Sequence, residues 1–142
     1  MKKILLLTVV FFALIQAIQT DKTAQKVDVN LEVEASGEVM DILEKSCYDC
    51  HSQKTKWPTY SYIAPISWVV SSNVKNGRKA LDFSKWANID KKIKIERIER
   101  MKKLINNSMM PKSGYLVFHP EAELNKDKIK ILENWIVTEL KK

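Results

Sequence analysis

Cys47-Tyr48-Asp49-Cys50-His51 is the stretch that most constrains what this chain can fold into. These are its only two cysteines, and His51 is one of only two histidines. Scattered at random, two Cys and two His would fall into this arrangement with a probability on the order of 10⁻⁴, so chance is a poor explanation. The pattern C-x-x-C-H is the attachment signature of c-type haem. Two thiols three positions apart can each add to one vinyl group of the same porphyrin. The histidine that follows then lies under the ring, where its imidazole can bind the iron. Anything this chain folds into must therefore enclose a flat, largely apolar group.

Three other readings compete for the same residues. A dithiol redox site would want a βαβ context, and none is visible; it also leaves His51 unexplained. A structural zinc site would recruit Cys47, Cys50 and the distant His119, but such sites use closed sets of four ligands, and the fourth has no candidate. A plain Cys47–Cys50 disulfide would close so short a loop that it would stabilise little. Haem accounts for all five residues.

Residues 1–20 read as a targeting signal. Lys2 and Lys3 precede an apolar run from Ile4 to Ile15, the length of a signal-peptide core and short of the roughly 20 residues that span a bilayer. Ala17 offers a cleavage point, but Ile15 stands where a small residue is preferred. An uncleaved anchor through residues 4–18 is therefore the alternative. Both place the rest of the chain outside the cytoplasmic membrane, periplasmic or on its outer face, where an unmodified pair of thiols tends to oxidise.

Of the net charge of +7, Lys2 and Lys3 supply two; the remaining +5 equals the surplus of residues 91–103, seven basic against two acidic. The segment reads first as a solvated helix face with Glu96/Arg100 and Glu99/Lys103 pairs, and second as a docking surface for an acidic redox partner protein. An exported chain without aromatic residues interleaved among its cations is not a nucleic-acid binder.

Residues 21–36 alternate Val27, Val29, Leu31 and Val33 with polar neighbours. No second alternating run exists to pair with them, so they read as an extended tether. Residues 37–142 form one domain. Val39, Ile42, Leu43 and Ser46 have helical spacing and lead to Cys47. A loop over 52–64 carries Trp57, Pro58, Tyr60 and Tyr62. Pro65 opens a second helix, with Ile66, Val69, Val70 and Val74 on one face and Asn76-Gly77 as its end. Asp90 caps a third helix reaching about Asn106, with Ile89, Ile93, Ile98, Met101, Leu104 and Ile105 along one side. A loop over 107–115 follows. Asn125 caps a fourth helix, striped by Ile129, Leu132, Ile136 and Leu140. The fold class is all-α: about four helices, with two long loops able to enclose one haem.

Taken together, Cys47-Tyr48-Asp49-Cys50-His51-Ser52, Trp57-Pro58-Thr59-Tyr60-Ser61-Tyr62-Ile63-Ala64-Pro65-Ile66-Ser67-Trp68 and Leu81-Asp82-Phe83-Ser84-Lys85-Trp86 resemble the small bacterial haem-binding domain family with a C-x-x-C-H site. Met110-Pro111, Tyr115, His119-Pro120-Glu121-Ala122 and Leu124 continue the resemblance, which covers roughly residues 37–140. It implies a plan like that of class I cytochromes c, with first and last helices packed together, and one covalent haem c per chain. It also implies that Met110-Pro111 supplies the distal iron ligand and that the Ile63-Ala64-Pro65 stretch offers its proline carbonyl to the proximal histidine.

The residues themselves leave the distal ligand among Met110, Met109, His119 and an open position. Met110 is favoured because proline biases its predecessor to extended backbone. Trp57, Tyr60, Tyr62 and Tyr115 are candidates to wall the haem, and Arg78 or Lys79 to pair with a propionate. Two functions follow. With His51 and Met110 on the iron, the chain is an electron carrier and not an enzyme. With an open distal position, it is a haem enzyme of peroxidase-like type or a gas or redox sensor.

Overall fold

The computed structural model describes residues 1–142, and every regular element in it is helical. The helices are α1 (Lys2–Ile15), α2 (Gly37–Ser46), α3 (Tyr48–His51), α4 (Ile66–Ala80), α5 (Lys91–Asn106), α6 (Ser113–Leu116) and α7 (Lys126–Leu140). Four of them, α2, α4, α5 and α7, are those that the periodicity predicts. The leader adds α1; a single helical turn, α3, precedes the 52–64 loop, which holds a 3₁₀ turn at Thr59–Tyr62, and another single turn, α6, ends the loop after α5.

The caps are as the sequence indicates. The Asp90 carboxylate accepts from the backbone N–H of Lys92 and Ile93, and the Asn125 side chain accepts from Lys128 N–H, satisfying donors that an α-helix leaves unpaired at its start. One boundary differs. The helix expected to end at Asn76-Gly77 runs on to Ala80. Gly77 is there for another reason: a Cβ on it would stand 2.3 Å from the Cys50 carbonyl oxygen. The glycine lets α3 lie directly on α4, and the helix has no cause to stop.

The core joins α2, α5 and α7 through Val39, Ile42, Leu43, Ile98, Ile105, Leu132, Trp135 and Ile136, with Tyr48, Leu81, Phe83 and Trp86 from the segments around α3 and after α4. α2 packs on α7, and α7 on α5. Rings stack from Tyr48 to Phe83 (5.7 Å between centroids), from Phe83 to Trp86 (5.7 Å), and on to Trp135 at 5.6 Å in a tilted contact. Such pairs add directional attraction to their burial.

The alternating segment 27–34 forms no strand. It makes one 3₁₀ turn over Val29–Leu31, and beyond it Val33 is buried in the core with its N–H donating to Phe83 O at 2.9 Å. The last residues before α2 are thus packed structure. α1 has no buried residue. Its end meets the domain at Gln16, whose side chain accepts from Ala64 N–H at 2.9 Å and donates to Ala64 O at 3.2 Å. No helix is long and apolar enough to cross a membrane.

Candidate functional site

α2 delivers Cys47, and the single turn of α3 carries Cys50 and His51. The turn is fixed from both ends. His51 N–H donates to Cys47 O at 2.9 Å, and the Ser52 hydroxyl, fully buried, donates to Tyr48 O at 2.8 Å. Beside it runs a buried polar network: Gln53 Nε2 donates to Asp82 Oδ2 at 2.6 Å, and Ser84 N–H to Asp82 Oδ1 at 3.0 Å.

The imidazole is oriented by a backbone group. His51 Nδ1 lies 3.0 Å from Leu81 O; a carbonyl only accepts, so Nδ1 carries the proton and Nε2 is left with its lone pair. Burial pushes the His51 pKa down, which favours the neutral ring, the form that binds a metal. A partner of this kind fixes the tautomer and aim of a ligating histidine. It is not the proline carbonyl that the resemblance implies: Pro65 is exposed, and its carbonyl accepts the N–H of Trp68 in the first turn of α4.

Burial also raises the thiols, Cys47 to about 12 and Cys50 to about 11. Reactive dithiol sites depress the pKa to expose a thiolate; these two do the reverse. No group of three His, Cys, Asp or Glu is placed to hold a metal ion, so a zinc site finds no ligand set.

Cys47 and His51 open onto a cavity of about 540 Å³, within the range of small-molecule and cofactor sites. Its wall includes Leu81 and Phe83 beside α3, Ile93, Met101, Leu104 and Ile105 from α5, and Leu124 ahead of α7. Met110 and Pro111 complete it from the loop after α5. Met109 turns outward and is 59% exposed. His119 is elsewhere, with both ring nitrogens engaged: Nε2 lies 2.8 Å from Tyr60 Oη and Nδ1 3.3 Å from Glu121 Oε1.

None of the four wall candidates lines this cavity: the Tyr60 hydroxyl is engaged with His119, and Tyr62 is exposed with the Lys22 ammonium over its ring. Trp57 borders a separate polar hollow near Arg78 and Asp82, with the Lys22 ammonium 5.6 Å from its ring. Tyr115 donates its hydroxyl to Asp49 Oδ2 at 2.8 Å and stacks on His119; burial first, then that bond, hold the phenol well above its ordinary pKa. Arg78 is occupied with Ser52 O at 2.8 Å and Thr55 Oγ1 at 2.9 Å. Lys79 does line the cavity, together with Arg97, Arg100 and Glu96. The charge pattern puts the two arginines on a solvated helix face or a docking surface for an acidic partner, and the structure puts them at the cavity wall; neither expected i,i+4 ion pair forms. The spacing Ile93, Arg97, Met101, Leu104 was the available signal for a second face on α5.

With this geometry in view, the comparisons with known proteins decide the family. A family model described as "Haem-binding domain" matches residues 10–138. The chain belongs to that family. No curated protein and no solved structure gives a match.

The residues of this haem-binding domain fit the group. A histidine with a fixed tautomer and a thioether sulfur share one cavity, its wall is mainly aliphatic and aromatic, and cations stand among the lining residues. The Ser46 hydroxyl, at the wall, is buried with no partner in the protein, as expected where a bound molecule supplies one.

Proposed function

We propose that this chain is a mono-haem cytochrome of the c type that carries electrons outside the cytoplasmic membrane. The observation that carries the reading is the meeting of Cys47, His51 and Met110 at one cavity while Met109 and His119 face away. Cys47 and Cys50 would hold the haem through thioether bonds to its two vinyl groups. His51 Nε2 and Met110 Sδ would be the ligands to its iron. Bound in this way, the haem supplies one-electron ferric/ferrous chemistry with no position left for substrate.

Arg97, Arg100 and Lys79 hold the propionate edge. None has a hydrogen-bond or ion-pair partner in the protein, and a guanidinium matches a carboxylate bidentately. The remaining cations of α5 (Lys91, Lys92, Lys94, Lys102 and Lys103) present a positive surface to an acidic redox partner. Lys2, Lys3 and the fully exposed apolar α1 mark the chain for export, by cleavage or by retention as an anchor at the membrane.

Protein made with a haem-attachment system should gain the mass of one haem that survives acid-acetone extraction. When oxidised it should show a near-red Met-to-iron charge-transfer band, lost in Met110→Ala and kept in Met109→Ala. Extractable haem would refute covalent attachment. A high-spin spectrum with ready carbon monoxide binding would instead identify a haem enzyme or sensor with an open distal position.

A further inference from the structure

The loop that carries Met110 has few means of holding it still. From Asn107 to Glu121 no residue is buried, so packing does not place the sulfur, and a loop with little buried surface opens at low cost. Side-chain bonds take the place of packing, and the central one ends inside the C-x-x-C-H motif. Tyr115 Oη donates to Asp49 Oδ2 at 2.8 Å. Asp49 is itself immobilised: its Oδ1 accepts Lys56 N–H at 2.9 Å, and its carbonyl accepts Thr55 Oγ1 at 2.8 Å, which in turn receives Arg78 Nη2 at 2.9 Å. The Tyr115 ring lies 4.2 Å from that of His119, nearly parallel at 12°. His119 is tied to Tyr60 Oη at 2.8 Å. Closer to the sulfur, Met109 N–H donates to Leu104 O at 2.9 Å and Lys112 Nζ to Asn73 Oδ1 at 2.8 Å.

We propose that Asp49 and Tyr115 form a latch that positions Met110, fastening the distal loop to the same helical turn that carries the haem-binding thiols. It rests on the assignment of Met110 as distal ligand. The physical sense is that Asp49 sits between Tyr48 and Cys50, two residues from Cys47, so a bond to it fixes the loop relative to the haem and not merely to the protein surface. Breaking that bond leaves the cavity walls in place and lets the Met110 sulfur leave the iron more often. Asp49 and Tyr115 are positioning residues; neither touches the iron.

The test uses the haem-loaded full chain and imidazole, a small ligand that competes with the Met sulfur for oxidised iron. Tyr115→Phe keeps the ring stack on His119 and removes only the hydroxyl. A hydrogen bond to a charged acceptor is strong enough that its loss should raise apparent imidazole affinity about tenfold, with faster hydrogen exchange at the amides of residues 109–119. Asp49→Ala should do the same. Trp135→Phe, a change in the core remote from the loop, should lower the melting temperature and leave imidazole affinity unchanged. If Tyr115→Phe leaves affinity unchanged, or raises it no more than Trp135→Phe does at equal loss of melting temperature, the latch is refuted. Met110→Ala separates the two claims. If it alters neither the spectrum nor imidazole affinity, the ligand assignment fails and the latch with it. If Met110→Ala changes both and Tyr115→Phe changes neither, the latch alone is wrong.

Discussion

The two sides of the cavity lined by His51 and Met110 are built by different means. On the side of His51, Ser52, Gln53, Asp82, Phe83 and Ser84 are all buried; Gln53, Asp82 and Ser84 bond one another, and Ser52 bonds Tyr48 O. On the side of Met110, residues 107–121 contribute nothing to the buried core. Close packing is intolerant of small changes, because interiors have native density and relax only partly. A loop held by a few polar ties is tolerant of sequence change and opens locally. The contrast teaches that this domain holds His51 against its core and leaves Met110 to a segment that can move without unfolding the molecule.

The comparison predicts a gradient of mutational cost, and its steep end lies beside His51. Phe83 is 1% exposed, stacks between Tyr48 and Trp86, borders the cavity and accepts the Val33 N–H through its carbonyl. Phe83→Ala should destabilise the haem-loaded protein by about 3–5 kcal/mol in urea unfolding. A loss under about 1 kcal/mol would mean that the haem, and not the aromatic stack, fills this region.

Next comes Gly77→Ala, a helix substitution that would ordinarily stabilise. Here the added Cβ meets the Cys50 carbonyl at 2.3 Å, so α3 must lift from α4. The expected cost is about 1–3 kcal/mol, read by the same unfolding experiment, with a shift in the low-spin spectrum as His51 moves. A stabilised variant would show that the two helices do not approach so closely. The smallest effect belongs to the other side: Lys112→Ala removes an exposed bond to Asn73 and should change global stability by less than about 0.5 kcal/mol. A cost comparable to that of Gly77→Ala would erase the distinction between the two sides.

Much of this arrangement was readable from residue order, and the failures have physical causes. The four long helices follow from 3.6-residue periodicity, and Asp90 and Asn125 announced two of their starts. C-x-x-C-H marked the turn whose Cys47 and His51 line the cavity, and the proline after Met110 distinguished the methionine that lines it from the exposed Met109. Gly77 misled because one residue type serves two needs: a helix end and a close backbone approach both call for a missing Cβ. The partner of His51 could not be read, since a backbone carbonyl has no signature in sequence and Leu81 looks like any core leucine. α5 was read as one apolar stripe when it serves two surfaces: Ile98 enters the core, Ile105 belongs to both core and cavity wall, and Ile93, Met101 and Leu104 line the cavity with Arg97 beside them. A stripe wide enough to serve both looks in sequence like a single broad face. Trp57 and Tyr115 show the converse, that aromatic residues near a motif are drawn as readily to other local partners.

The brevity of α3 has a bearing on how the molecule is made. Four residues of helix do not persist alone in water, because the cost of nucleation is not repaid in so short a segment. Much of what holds this turn in shape lies later in the chain: Gly77 and Arg78 in α4, Leu81 and Asp82 just after it. A chain that emerges amino end first therefore presents Cys47, Cys50 and His51 on unstructured polypeptide for as long as those residues lag behind. In that interval the thiols stand in water, where the burial that raises them to about 12 and about 11 is absent. Biogenesis thus has a window that closes by itself: the motif is most open to chemistry before the protein exists as a fold, and arrival of the downstream helix ends that exposure without any separate signal.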